Sequence, residues 1–308
     1  MTASKPNAKI LALKIAIFLI VAAGLFWLAD FYARANNIDS VNPAVSKVSE
    51  AVSSGIAKPI IEMATSSSPI ASSSLIASST LKRAAYVHAP ILMYHYISAA
   101  PATTTLPGLY LDPAIFEGQL QEILKGGYQT VFMSELSRNI LSGTAEKEKA
   151  IALTFDDGYE DFYTNTFPLL KKYNLKSTFY VIVNALDKPG YVTRVQLQEM
   201  AASGFVEIGS HTFNHPDLRL KKEADAIFEI KGSKAELEKI IGRSVLTFAY
   251  PYGYYNYQIL EITKTAGYLS AVSVIPGSYH KPDNAWLITR LRPGSWSGEE
   301  FAGWLKRN

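Results

Sequence analysis

The sequence predicts an α/β fold of alternating strands and helices, carried behind an N-terminal membrane segment and a linker. Two observations predict the fold. From residue 91 onward, short apolar runs alternate with amphipathic stretches in the order of βα units. Gly126-Gly127, Gly204, Gly242 and Gly267 then fall just past the ends of all but one of the candidate helices, where a glycine terminates a helix most easily. A third observation places the membrane segment: from Ile10 to Ala29 the only charged residue is Lys14.

Taken in order, residues 1–9 are expected to be a short cytoplasmic terminus and residues 10–29 a transmembrane anchor. The apolar run is about as long as a helix crossing the hydrocarbon core, and Lys14 lies near enough to one end to snorkel. Lys5, Lys9 and Lys14 precede its centre, whereas Asp30, Arg34 and Asp39 follow it, so the positive-inside bias sends the remainder outward. Ala33-Arg34-Ala35 loosely fits a cleavage site, but the run exceeds a usual signal-peptide core, and an uncleaved anchor is expected. A buried globular helix fits poorly, because the stretch is apolar on every face. Residues 30–85 are rich in Ser and Ala, as in Thr65-Ser66-Ser67-Ser68-Pro69, with too few large apolar side chains to offset ordering entropy. They are expected to be a tether.

Residues 86–308 are expected to form one domain, since roughly 220 residues suffice for a single α/β unit. Candidate strands are Ile91 to Tyr94, Ile151 to Phe155, Ser177 to Val183, Val206 to Gly209, Leu246 to Ala249 and Ser270 to Val274. Candidate helices are Asp112 to Lys125, Phe162 to Tyr173, Arg194 to Ser203, Glu223 to Ile241 and Gln258 to Ala266. Periodicity does not distinguish a closed barrel from an open doubly wound sheet. The absence of cysteine excludes disulfides and thiolate metal sites, so any metal must be held by His and carboxylate. The net charge is only +3, and several of the lysines and arginines precede the domain, so a nucleic-acid-binding face is not expected.

Chemistry concentrates at three strand ends. The run Ala150 to Phe155 stops in Asp156-Asp157-Gly158, which puts adjacent carboxylates at the edge where α/β folds place their sites. After the apolar stretch Phe205 to Ile208 comes Ser210-His211-Thr212-Phe213-Asn214-His215-Pro216, with two imidazoles four residues apart. One aspartate and two histidines make a familiar three-ligand set for a catalytic zinc. The third loop is Phe248-Ala249-Tyr250-Pro251-Tyr252-Gly253. Singly, each has a plain structural reading as a turn, a helix cap or an aromatic corner; together, at βα intervals, they point to a site.

These three motifs resemble, in order and approximate spacing, the first three motifs of the metal-dependent polysaccharide deacetylases. Pro90-Ile91-Leu92-Met93-Tyr94-His95 resembles the opening strand of the branch acting on poly-N-acetylglucosamine. The resemblance runs from about Ala89 to about Arg292. It implies a distorted (β/α) barrel with about seven strands, and hydrolysis of N-acetyl groups on the amino sugars of an extracellular polysaccharide. It further implies that Asp157, His211 and His215 bind a divalent metal, that Asp156 is the general base, and that the amide of Tyr252 stabilises the oxyanion. Zinc suits the ligands best, with cobalt, nickel or iron fitting similar sets. Peptidoglycan or an O-acetyl ester is the alternative substrate, and a catalytically inactive surface glycan-binding module the alternative class.

Two departures from the family pattern matter. Ala249 stands where the third motif usually opens with an arginine that orients the base, so Arg290 or Arg292 is expected to supply that cation. The C-terminal Leu-x-His motif is absent, which leaves His95 as the candidate general acid, His280 as the fallback and His88 as a surface histidine. Trp286, Trp296 and Trp304 could stack on sugars, with core packing expected for at least two. The loops Ser98 to Tyr110 and Ala185 to Tyr191 are expected to shape the groove.

Overall fold

The structure is a computed structural model that describes residues 86–144 and 149–308. The expected anchor and linker lie outside the described residues. Among the described residues, no helix is long and apolar enough to cross a membrane.

Six parallel strands form the sheet in the order β2 (Ile91–Tyr94), β4 (Lys149–Phe155), β5 (Ser177–Val181), β6 (Val206–Ser210), β7 (Thr247–Ala249) and β8 (Ser270–Val272). The short β3 (Tyr128–Thr130) adds to the start of β4. The sheet curls, and alternate side chains point to two apolar clusters. Ile151, Leu153, Phe155, Phe179, Val181 and Ile208 belong to the larger one, shared with the surrounding helices. Ala152, Tyr180, Ala249 and Val272 belong to the smaller, inner one. There the ring of Tyr180 runs so close to β6 that a Cβ on Gly209 would lie 2.3 Å from it, which explains the glycine in a strand interior.

The helices are α1 (Pro113–Lys125), α2 (Met133–Ser142), α3 (Phe167–Tyr173), α4 (Arg194–Ala202), α5 (Glu223–Ile227), α6 (Ser233–Ile241), α7 (Tyr257–Thr265) and α8 (Gly298–Arg307). Asp112 caps α1 by accepting from the Ala114 amide at 2.8 Å, as its position before Pro113 suggests. Helix α2, like α8, is not among the helices expected from the sequence. It plugs the N-terminal end of the sheet with Met133, Leu136 and Ile140. Its first amides reach inward, Met133 N to Thr178 Oγ1 and Ser134 N to the half-buried Glu207, both at 3.0 Å.

Two expected helices are interrupted. Phe162–Thr166 is a π turn before α3, and Phe228–Gly232 is a π turn between α5 and α6. The sheet is also not an unbroken seven-stranded barrel. Between β8 and β2 the gap is spanned by residues 288–291, which make isolated parallel bridges Val272↔Ile288 and Leu92↔Leu291. Met93 N donates to Leu291 O at 2.8 Å and Leu291 N to Ile91 O at 2.7 Å. This short segment carries Arg290 into the interior. At the opposite end from the chemistry, β1 (Val87–His88) pairs antiparallel with β9 (Tyr279–His280).

Candidate active site and metal centre

The C-terminal ends of β4, β6 and β7 bring the three motifs together. Strain gathers there: of the six non-glycine residues with positive φ among the described ones, Asp157 (78°), Thr212 (70°), His215 (59°) and Tyr252 (58°) belong to the motifs. Such backbone conformations persist where surrounding structure over-determines them, often at functional sites.

The restraints on each are visible. His211 N donates to Val181 O at 3.0 Å, and its Nδ1 lies 2.8 Å from Ala249 O. A proton on Nδ1 leaves the Nε2 lone pair free to bind a cation. The His215 amide donates to Thr212 Oγ1 at 2.8 Å, folding the loop back on itself. Glu229, buried in the π turn, then accepts from the amides of Phe213 at 3.0 Å and Asn214 at 2.8 Å, and from Asn214 Nδ2 at 2.8 Å. Glu229 thus positions the second histidine. Only its helical spacing to buried neighbours could have marked it in the sequence.

Asp157, His211 and His215 face one another. Asp157 Oδ1 lies 3.3 Å from His211 Nε2 and 3.4 Å from His215 Nε2, and the two imidazole nitrogens are 3.2 Å apart. Four tetrahedral ligands at 2.0–2.1 Å would stand about 3.3–3.4 Å from one another, so this triangle is the right size for a small divalent cation. Asp157 Oδ1 is moreover buried with no hydrogen-bond partner, an orphaned anion that a cation would satisfy. Among the described residues this is the group of His, Asp and Glu side chains able to hold a metal. Burial and the neighbouring His211 push the His215 imidazole down to about 4, the neutral form that ligation requires, whereas His211, despite its burial, is raised by Asp157 and Asp156, so a cation there displaces a proton from it.

Asp156 is occupied differently. Its two oxygens accept from Arg290 at 2.8 and 2.7 Å in a bidentate pair, with both side chains buried. Arg290 also donates through Nε to Ser273 O at 2.9 Å and through NH1 to Thr154 Oγ1 at 3.1 Å. Burial alone would raise the Asp156 carboxyl, but the guanidinium outweighs it and holds the group well below the usual carboxylate range. Of the two arginines left open by the sequence, Arg290 makes this pair. Arg292 instead lies beyond it, donating to Gly108 O at 3.3 Å.

The third loop brings Tyr252 to the triad. Its ring meets His215 edge-on at 4.6 Å between centroids, and its hydroxyl lies 3.5 Å from His215 O. Gly253, at φ 72°, has no space for a side chain: a Cβ would lie 2.4 Å from Val274 Cγ2. His95 follows β2 at the same end of the sheet. Burial lowers its pKa, opposed by the charges of Asp156 and Asp157, and its Nδ1 is buried without a partner. His280 is at the other end, buried with Nε2 on Ala89 O at 2.9 Å, and His88 Nε2 contacts Asn308 O at 2.8 Å. Of the three remaining histidines, His95 alone lies beside the two aspartates. Trp286 and Trp304 pack on the core, and Trp296 meets Trp304 edge-on.

Two cavities flank this centre. One, of about 240 Å³, is lined by Asp157 and His215 together with Tyr159, Lys188 and Tyr191. The other, of about 230 Å³, lies beside His95, Tyr96, Tyr110 and Arg292. Tyr96 stacks between Tyr110 and Tyr159, with centroids 4.1 and 3.6 Å away, so the cavities stand on either side of an aromatic wall. The loops expected to shape a groove, 98–110 and 185–191, each contribute to one of them.

Residues 143–271 match the family model described as polysaccharide deacetylase. The Bacillus subtilis protein YxkH, whose name places it with the polysaccharide deacetylases, is 31% identical over 219 residues, covering 70% of this chain and 76% of that protein. Poly-β-1,6-N-acetyl-D-glucosamine N-deacetylase of Staphylococcus aureus is 28% identical over 157 residues, 47% of this chain and 54% of that enzyme. Among solved structures, the Streptococcus pyogenes deacetylase PplD in complex with acetate gives a TM-score of 0.66 at 30% identity, covering 72% of this chain and 98% of that one. IcaB from Ammonifex degensii gives 0.61 at 25% identity, covering 71% and 97%.

Proposed function

We propose that this chain, which belongs to the polysaccharide deacetylase family, hydrolyses the N-acetyl groups of amino sugars in an extracellular, poly-N-acetylglucosamine-like polysaccharide. The observation that carries the reading is the pairing of an Asp157–His211–His215 triangle of cation size with a buried carboxylate, Asp156, held ionised beside it by Arg290. The likeness to the S. aureus enzyme, which is named for that substrate, supports the choice of polymer.

A divalent cation held by Asp157, His211 and His215, zinc by ligand type, would acidify a water and polarise the acetyl carbonyl. Asp156 accepts a proton from the attacking water, and Arg290 keeps it ionised and oriented for that step. The Tyr252 amide, held in a left-handed turn by Gly253, donates to the oxyanion of the tetrahedral intermediate. His95 delivers a proton to the leaving amine. Because burial lowers its pKa, the availability of that proton falls off on the alkaline side of the rate profile. The apolar segment 10–29 would tether the domain on the outer side of a membrane.

The test is acetate release from β-1,6- and β-1,4-linked N-acetylglucosamine oligomers and from peptidoglycan, with chelator and with added zinc. Chelator-sensitive acetate, highest on the β-1,6 oligomer, is the expected result. No acetate from any of the three by zinc-loaded protein would overturn the reading and favour an O-acetyl ester substrate or a binding role.

A further inference from the structure

Each turnover of the reaction proposed above changes the charge of the polymer: a neutral acetamide becomes an amine, protonated below about pH 7.7 if it behaves as an α-amino group does. The next reacting sugar therefore has an ammonium for a neighbour. Each of the two flanking cavities presents a cation. Arg292 lines the one beside His95, with no carboxylate among its lining residues. Lys188 lines the other, where the only carboxylate is the metal-facing Asp157. Neither cation has an ion-pair partner among the described residues, and Arg292 makes a single hydrogen bond, to Gly108 O. Of the acids near the two cations, Asp156, whose charge Arg292 feels, is paired with Arg290, and Asp187, next to Lys188 in the chain, is paired with Arg194.

We propose that Arg292 and Lys188 are specificity residues that reject an already deacetylated sugar on either side of the reacting one, so that the enzyme acts within N-acetylated stretches and leaves its amines apart. The proposal rests on the deacetylase reading given above. Two like charges about 6 Å apart repel by an amount that depends on the local dielectric, and between the limits for a protein surface and for water this corresponds to roughly three- to hundredfold in binding. A cleft meant to accommodate glucosamine would instead present carboxylates to it.

The experiment uses the full chain, zinc-loaded, and three β-1,6 tetrasaccharides. One is fully N-acetylated, and the others carry a single glucosamine on the reducing or the non-reducing side of the reacting residue. The readout is the ratio of kcat/KM for each mixed oligomer to that for the fully acetylated one. Wild type is expected to lose about tenfold on both mixed oligomers, less in about 1 M salt, where screening extends only ~3 Å. Arg292→Glu should abolish the loss for one positional isomer alone, and Lys188→Glu for the other alone. A general structural role for either residue would lower all three rates together and leave the ratios unchanged. The proposal is overturned if wild type shows no loss on either isomer, or if both variants keep the wild-type ratios. Should Arg292→Glu fail to fold, Arg292→Gln must halve the loss or more for its isomer. Absence of acetate from the fully acetylated tetramer would instead sink the deacetylase reading itself, a separate outcome.

Discussion

Arg290→Met in the metal-free protein isolates what the arginine does for Asp156. Both side chains are buried, Arg290 at 1% relative exposure, and among the described residues Asp156 has no other cation within hydrogen-bond distance. Removing one partner of a buried ion pair costs about 3–5 kcal/mol, mostly because the other charge is stranded. For a domain of this size each kcal/mol shifts the melting temperature by about 2–4 °C, so a fall of about 6–20 °C is expected. The pH dependence should also change sign. In wild type the Asp156 carboxyl is depressed in the folded state, so its contribution is present above the ordinary carboxylate range and lost as pH falls below it. Without Arg290, burial dominates and raises the carboxyl, so the contribution is present at low pH and lost as pH rises through the raised value. Thermal melts of both proteins in chelator, at about pH 5 and about pH 8, should therefore show a smaller deficit for the variant at the lower pH. An equal deficit at both, or a loss under about 1 kcal/mol, would mean that Asp156 is not held by this pair.

Four further outcomes follow from the same geometry. Asp156→Asn should retain zinc, measured by elemental analysis, while kcat falls by about 10²–10⁴; retained activity would remove it as the base. His95→Gln should lower kcat by a similar factor, about 10²–10⁴, and flatten the alkaline limb of the pH–rate profile, a limb that in wild type lies to the acid side of an ordinary imidazole. Gly253→Ala forces a Cβ into Val274 at a left-handed position; it should destabilise by about 1–3 kcal/mol in urea melts and cut kcat more than it raises KM, because the Tyr252 amide moves. Zinc at a hundred times its dissociation constant should stabilise the apo protein by about 2.7 kcal/mol, and His215→Ala should abolish that shift in melting temperature.

The sequence made the site legible where chemistry and strand ends coincide. Asp156, Asp157, His211 and His215 follow apolar runs that can only be buried strands, and the structure places all four at one end of the sheet. What escaped were elements whose local pattern is too short to read. Three residues suffice for β3, and the bridging segment 288–291 has no strand periodicity at all; its place is fixed by the unpaired edges of β8 and β2. Helix α2 was missed because its apolar positions pack into the sheet's open end, a tertiary demand invisible in a window of ten residues. Glu229 was missed because a single acid in an amphipathic run reads as solvated surface until the loop it holds is seen.

The displaced arginine shows why position in the chain is a weak guide to role. A buried carboxylate such as Asp156 needs a cation within reach of both its oxygens to stay ionised, and the neighbouring strand need not supply it. Here the residue that usually would is Ala249, whose side chain joins the inner apolar cluster and whose carbonyl fixes His211. The space left above it is filled from the segment that spans the sheet's gap, where Arg290 is anchored by Ser273 O and Thr154 Oγ1 before it meets Asp156. Four of the guanidinium's five N–H donors are committed by this arrangement, whereas a lysine, with three donors on one nitrogen, could satisfy at most part of it. Closing the gap and holding the Asp156 carboxylate are thus one structural event, and a change that loosens residues 288–291 should reach Asp156 without touching Asp157, His211 or His215.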